Sequence, residues 1–286
     1  MSARLVDRAP AKVNLTLRVL ARRADGYHDI ESLVAFADLA DTLTFVPGDA
    51  PGLEMCGAGA NDCGPAADNL VLKAQAALAA KASGLKPGRF ILEKNIPVAA
   101  GLGGGSADAA AALRLLARAN NFAPDDPRLM SAARDIGADV PVCLDSKSRI
   151  IRGAGETLSP ALELPKFHAV LVNPCIPVAT RDVFAAFRPG NDAVELLGEI
   201  PRERASLLAL LGRGRNDLEP AAISLQPVIA EVLAALRALP ACELARMSGS
   251  GATCFALFSS QPEAQAGAKA LRAKYGGWWI HCGAIG

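Results

Sequence analysis

Four glycines in five positions, Gly101, Gly103, Gly104 and Gly105 around Leu102, lead into Ser106 and an alanine-rich run. A helix starting there offers amides with no partner inside the helix and the positive end of its dipole, and bare glycine backbone lets a phosphate come close. Ser106 is placed either to cap that helix or to turn its hydroxyl toward a phosphate or a magnesium ion. A dinucleotide fingerprint fits poorly, because its third glycine falls on Ser106, and a Walker A loop fails, because no Lys-Ser or Lys-Thr follows at the required offset. Two readings of the glycines remain: a different phosphate loop, or a strand turn before a tightly packed core helix.

Other residues have the right chemistry in suggestive places. Asp139 lies between Gly137 and Pro141, in a constrained segment where a carboxylate can be aimed, and Lys12 lies in PAKVNL. Alone, each also reads as an ordinary turn or solvated residue. Tyr27 and His28 follow the Asp25-Gly26 turn in a chain with two tyrosines, two tryptophans and three histidines. An aromatic platform beside a polar ring suits a nucleobase, and core packing is the alternative. His168 and His281 sit in expected strands without a partner motif and read as structural, and Trp278 and Trp279 read as alternating faces of a terminal strand.

These residues must be positioned by a chain of 286 residues that is 51% apolar, enough for two domains. Its 30 basic and 29 acidic side chains leave a formal charge of +1. That gives no broad field for nucleic acid or an anionic membrane, so a phosphate must be held locally. The opening MSARLVDRAPAK has no apolar core of a signal peptide, and no run approaches a membrane span. Seven cysteines, none in a C-x-x-C pair, fit a reduced, cytoplasmic protein without a cysteine-bound metal.

Periodicity and turn residues predict strands near 4–9, 12–19, 30–37, 42–46 and 89–93. They predict helices over 70–83, 106–119 and 126–136, the first capped by Asn69. From Phe167 the order is a strand, a helical region from near Thr180 to 239, two strands (CELAR and TCFALF), a helix over 262–275 and the strand WWIHC. This is the split βαβ arrangement. A boundary near residue 165, flanked by Pro160 and Pro165, divides the chain into 1–165 and 166–286. Residues 49–66 offer no usable pattern.

Seven segments in order, PAKVNL with RADGYH, DNLVLKA, GLGGGSADAA, GADVP, RNDLEP and MSGSGATCF, span residues 10 to 255. Together they resemble the GHMP small-molecule kinases. The closest likeness is to the branch that phosphorylates the 2-hydroxyl of a cytidine-diphosphate-linked methylerythritol in the non-mevalonate isoprenoid route. RADGYH is the most discriminating segment. The resemblance implies an α+β fold with an N-terminal domain like domain 2 of ribosomal protein S5 and a C-terminal ferredoxin-like domain. It implies ATP and magnesium as cofactors and a small-molecule substrate rather than nucleic acid or membrane.

Residue by residue, the resemblance implies Lys12 and Asp139 as the catalytic pair. Pro97, Val98, Ala99, Ala100, Gly101, Leu102, Gly103, Gly104, Gly105, Ser106 and Ala107 form the ATP loop, with Asn69 and Lys94 near adenine. Asn14, Tyr27, His28, Asp139 and Phe184 meet the acceptor substrate, Tyr27 and Phe184 covering the two faces of cytosine while His28 hydrogen-bonds it. Ser106 is a possible magnesium ligand. From residue types alone, Asn69 is equally a helix cap, Lys94 a strand-end surface cation, Phe184 a core residue, Asp108 a first-turn carboxylate favoured by the helix dipole, and Gly249-Ser250-Gly251 a tight hairpin. The nearest rivals are kinases of the same superfamily acting on homoserine, mevalonate or a sugar, and a non-catalytic nucleotide-binding module.

Overall fold

A computed structural model describes residues 4–189 and 196–286. The chain begins with β1 (Leu5–Asn14), β2 (Arg18–Arg22), β3 (His28–Pro47) and β4 (Gly52–Cys56), followed by α1 (Leu70–Ala79) and β5 (Gly88–Glu93). Helices α2 (Gly104–Ala119), α3 (Pro127–Ile136) and α4 (Val140–Cys143) come next, then β6 (Arg149–Gly153), β7 (Thr157–Leu158) and β8 (Phe167–Asn173). Four helices follow, α5 (Thr180–Ala186), α6 (Arg204–Arg213), α7 (Glu219–Leu225) and α8 (Val228–Arg237). The chain closes with β9 (Leu244–Met247), β10 (Cys254–Phe258), α9 (Gln261–Lys274) and β11 (Trp279–Ile285). Of the helical region expected between Thr180 and 239, residues 190–195 lie outside the described residues.

Two compact units draw on interleaved segments. One takes the chain up to Lys12, Leu39–Val98 and Gly103–Ser146, and the other takes Val13–Asp38, Ala99–Leu102 and the chain from Lys147 on. A division at residue 165 is therefore a division of the sequence, since both units use chain that precedes it.

In the first unit β5 pairs antiparallel with the second half of β3 (Thr42 opposite Glu93) and parallel with β4 (Gly52 opposite Arg89). Alternation puts Leu43, Phe45, Phe90 and Leu92 wholly inside, with the Phe45 and Phe90 rings 4.8 Å apart. Asn69 caps α1 by accepting a hydrogen bond from Val71 N at 3.0 Å. Asp126 does the same for α3, ahead of Pro127. Helix α2 buries Ala107, Ala109, Ala110, Ala111 and Ala112 together with Leu113, Leu115 and Leu116; its alanines let neighbouring helices approach closely.

In the second unit the strands lie in the order β11-β8-β10-β9, every neighbouring pair antiparallel. Counted from β8, that is fourth, first, third, second, with helices connecting first to second and third to fourth. It is the ferredoxin-like arrangement that the order of segments predicts. Helix α9 starts on a capping box formed by Ser260 and Glu263. The first half of β3 pairs with β2 and β6, and its Ala37 lies opposite Ile285 of β11.

Several sequence expectations change. β3 is one strand of 20 residues, because the intervening Asp38-Leu39-Ala40-Asp41 holds no glycine or proline to break it. β4, β6, β7 and α4 are additional elements; each has five residues or fewer and no strong pattern. Trp278 precedes β11 and stacks on Tyr275 at 3.8 Å, whereas Trp279 lies in the strand 6.0 Å from the His281 ring. His281 pairs with Asp38 at 3.2 Å.

Candidate active site

In the first unit, Lys12 near the end of β1 is 5% exposed, and its Nζ donates to Asp139 Oδ2 at 2.8 Å. Asp139 sits at the start of α4, with Pro141 in that helix's first turn. Its side chain is 36% exposed, and its second oxygen makes no hydrogen bond among the described residues. One carboxylate oxygen is thus fixed by a buried ammonium while the other is open to a hydroxyl. Beneath them the Cys143 thiol is wholly buried, and burial pushes it up to about 12, so it stays protonated.

The glycine helix starts beside this pair. Gly103 is the cap of α2, at φ 62° and ψ 22°, and no side chain caps the helix. A Cβ at Gly103 would lie 3.3 Å from both Cβ and Cε of Lys12. Ser106 is therefore not the cap; it is the third helical residue, and its hydroxyl makes no hydrogen bond among the described residues. The helix start leaves its amides to a ligand, and the hydroxyl is available to the same ligand or its cation.

Lys94 is neither on the surface nor free. It is 3% exposed, and its Nζ binds Asp41 Oδ2 and, at 2.8 Å, Asp108 Oδ2. A Cβ at Gly104 would lie 3.0 Å from this Nζ. Burial works against the ammonium, but Asp108 and Asp41 outweigh it and raise the Lys94 pKa. Burial also raises Asp108, to about 7, although Lys94 opposes the shift. Asp108 lies beyond the first turn of α2, correcting its expected position, and is 2% exposed. Asn69 already uses its side-chain oxygen as the α1 cap, and its amide nitrogen lies 3.6 Å from Met55 Sδ.

In the second unit the early part of the glycine loop is seated against the loop from Ser248 to Thr253. A Cβ at Gly101 would meet Gly251 O at 2.6 Å and Ser248 O at 2.7 Å, while Thr253 N donates to Ala100 O at 3.1 Å. Ala99 and Gly101, like Gly103, have positive φ, so every second residue of the loop turns left-handed; this is the backbone pattern that gathers N–H groups around an anion. The tight hairpin that residue types alone allow at 249–251 does not form; a six-residue connection joins β9 and β10. Pro97 is half-buried, Val98 exposed, and Leu102 and Ala107 buried, so these four shape the loop mainly through backbone.

The same unit holds the aromatic residues. Asp25 Oδ1 accepts from Tyr27 N at 3.0 Å, fixing the turn, and Tyr27 is 63% exposed. The His28 ring stacks on Phe184 of α5 with centroids 5.0 Å apart and meets Phe187 edge-on at 6.4 Å. Burial, helped by Arg22, lowers the His28 pKa. Phe184 is thus partly exposed and stacked rather than core, and Phe187 joins it one helical turn later. Asn14 is buried; its Nδ2 donates to Ser32 Oγ at 2.7 Å, while its Oδ1 has no partner.

This fold, with an uncapped glycine helix beside a lysine–carboxylate pair, defines a class of small-molecule kinases. The profiles described as GHMP kinases N terminal domain and GHMP kinases C terminal match residues 69–147 and 193–277. A 4-diphosphocytidyl-2-C-methyl-D-erythritol kinase from Rhodopseudomonas palustris (strain BisB5) is 57% identical over 98% of this chain and 99% of its own. One from Nitrobacter hamburgensis is 55% identical over 99% and 96%. A crystal structure of 4-(cytidine 5'-diphospho)-2C-methyl-D-erythritol kinase superposes with a TM-score of 0.80 at 36% identity, covering 99% of each chain. The chain belongs to the 4-diphosphocytidyl-2-C-methyl-D-erythritol kinase family of GHMP kinases.

Proposed function

We propose that this protein transfers the γ-phosphoryl group of ATP to the 2-hydroxyl of 4-diphosphocytidyl-2-C-methyl-D-erythritol, releasing ADP and the 2-phosphate. The observation that carries this reading is the Lys12–Asp139 pair, 2.8 Å apart, beside the uncapped start of α2. ATP supplies the phosphoryl group, and magnesium spreads the charge on its phosphates. The residues of the chain fit both. The glycine backbone of 101–105 takes the phosphates, and the free Ser106 hydroxyl is a hard oxygen ligand. Among the described residues no cluster of three or more His, Cys, Asp or Glu surrounds a metal position, which suits an ion held largely by phosphate and water.

Asp139 receives the proton of the acceptor hydroxyl on its open oxygen as the oxygen–phosphorus bond forms. Lys12 holds the other oxygen, fixes the direction of the carboxylate and offsets negative charge as it develops. Tyr27 and Phe184 cover the faces of cytosine, and neutral His28 hydrogen-bonds its edge, which requires the His28–Phe184 stack to open for the base. Asn14 offers its unpartnered Oδ1 to the acceptor, and Asn69 and Lys94 lie at the adenine end of the nucleotide.

The test is ADP release from ATP and magnesium, with and without that acceptor. Acceptor-dependent turnover is expected, with a loss of at least ~100-fold in Asp139→Asn while ATP binding is retained. No acceptor-dependent ADP would overturn the function, and near-normal turnover by the variant would overturn the role of Asp139.

A further inference from the structure

The Lys94 ammonium is one cation between two buried carboxylates that lie 53 and 14 positions away in the sequence. Asp41 is wholly buried, and its other oxygen accepts from Ile96 N at 2.8 Å and from Asn95 N at 2.5 Å. One carboxylate thereby ties together Lys94, the turn after β5 and the chain entering the glycine loop. Asp108 has a simpler position: its Oδ2 binds Lys94, and its Oδ1 is buried without a partner. An ammonium has three N–H bonds, and two are taken here. Directing two of them directs the third, and the Nζ lies immediately beside Gly104, the first residue of α2.

We propose that Asp41 and Asp108 are positioning residues of the nucleotide site, acting through Lys94: by holding two of its N–H bonds they aim the third at a nucleotide seated at the start of α2. This rests on reading the glycine loop as the ATP site. Two buried acids around one cation are more than charge balance requires, and burying the second is costly unless its geometry repays it. A cation with one carboxylate partner would swing; with two it is fixed. Asp41 is the firmer guide of the ammonium, because the amides of Asn95 and Ile96 hold its carboxylate in place, whereas Asp108 bonds Lys94 and lies against Asp41 with no backbone amide to hold it.

The test is ATP affinity by calorimetry, without acceptor, for the wild-type protein, Asp41→Asn, Asp108→Asn, Lys94→Met and the double variant D41N/K94M, with a thermal melt of each to establish folding. Expected are a roughly tenfold weaker ATP affinity in D41N, the scale of a charge-assisted hydrogen bond, a smaller loss in D108N, and no further loss from D41N in the K94M background. In turnover, the KM for ATP should rise while kcat and the acceptor KM move little. D108N is nearly isosteric and decides the question if D41N does not fold. Unchanged ATP affinity in folded D41N and D108N, or an equal loss from D41N with and without Lys94, overturns the positioning role. Failure of the wild-type protein to bind ATP overturns the nucleotide reading itself.

Discussion

Lys12 Nζ and Asp139 Oδ2 are 2.8 Å apart although 127 positions separate them in the chain. The lysine is buried and the carboxylate partly open, so the pair has a fixed end and a working end. Lys12→Met keeps the stem packing and removes the charge. It should lower kcat by ~100-fold or more, and combining it with Asp139→Asn should cost little beyond the worse single variant, because the two act as a unit. Losses that multiply, read by steady-state kinetics on the three variants, would show that the residues work independently.

Glycine at 101 and 103 is required for two different reasons. Gly101→Ala places a methyl group 2.6–2.7 Å from two backbone carbonyl oxygens at a positive φ, and should destabilise the fold by ~1–3 kcal/mol. Gly103→Ala presses more gently on the Lys12 stem, at 3.3 Å. Its effect should appear in kcat more than in the melting temperature, so thermal melts and kinetics together should rank the two variants in opposite orders.

Tyr27 is exposed and packs no core, so Tyr27→Ala should leave stability within about 0.5 kcal/mol. It should raise the acceptor KM by roughly tenfold, as expected for loss of one base–aromatic stack, with Tyr27→Phe close to wild type. An unchanged acceptor KM in Tyr27→Ala would remove this residue from the cytosine site.

The His28 ring is kept neutral by burial, with Arg22 adding to the effect, so its pKa lies below the ordinary 6.5. The stabilisation from packing the neutral ring on Phe184 is complete above 6.5 and declines as pH falls through the lowered value. The acceptor KM should follow the same course, flat above 6.5 and rising on acidification, and the dependence should weaken in His28→Asn. A KM that rises with pH instead would contradict a neutral imidazole at the base edge.

Much of this architecture is legible in the chain because the signals are local. Asn69 before a helical period and glycines before an alanine-rich helix each mark a helix start through backbone chemistry within four residues. The order of strands after Phe167 is enough to specify the split βαβ arrangement. What stays hidden is non-local. Lys94 reads as a strand-end cation because nothing near it in sequence reveals Asp41, and the His28–Phe184 stack joins segments far apart in the chain. Ser106 reads as a cap because serine commonly is one, but left-handed Gly103 starts the helix earlier and frees the hydroxyl.

The most direct measurement is phosphorus NMR of the products formed when the protein, ATP and magnesium are given 4-diphosphocytidyl-2-C-methyl-D-erythritol, homoserine and mevalonate together. The expected result is a single new phosphomonoester, on the 2-oxygen of the cytidylyl substrate, formed in step with ADP. Phosphorylation of homoserine or mevalonate in its place, or of a different oxygen, would contradict it.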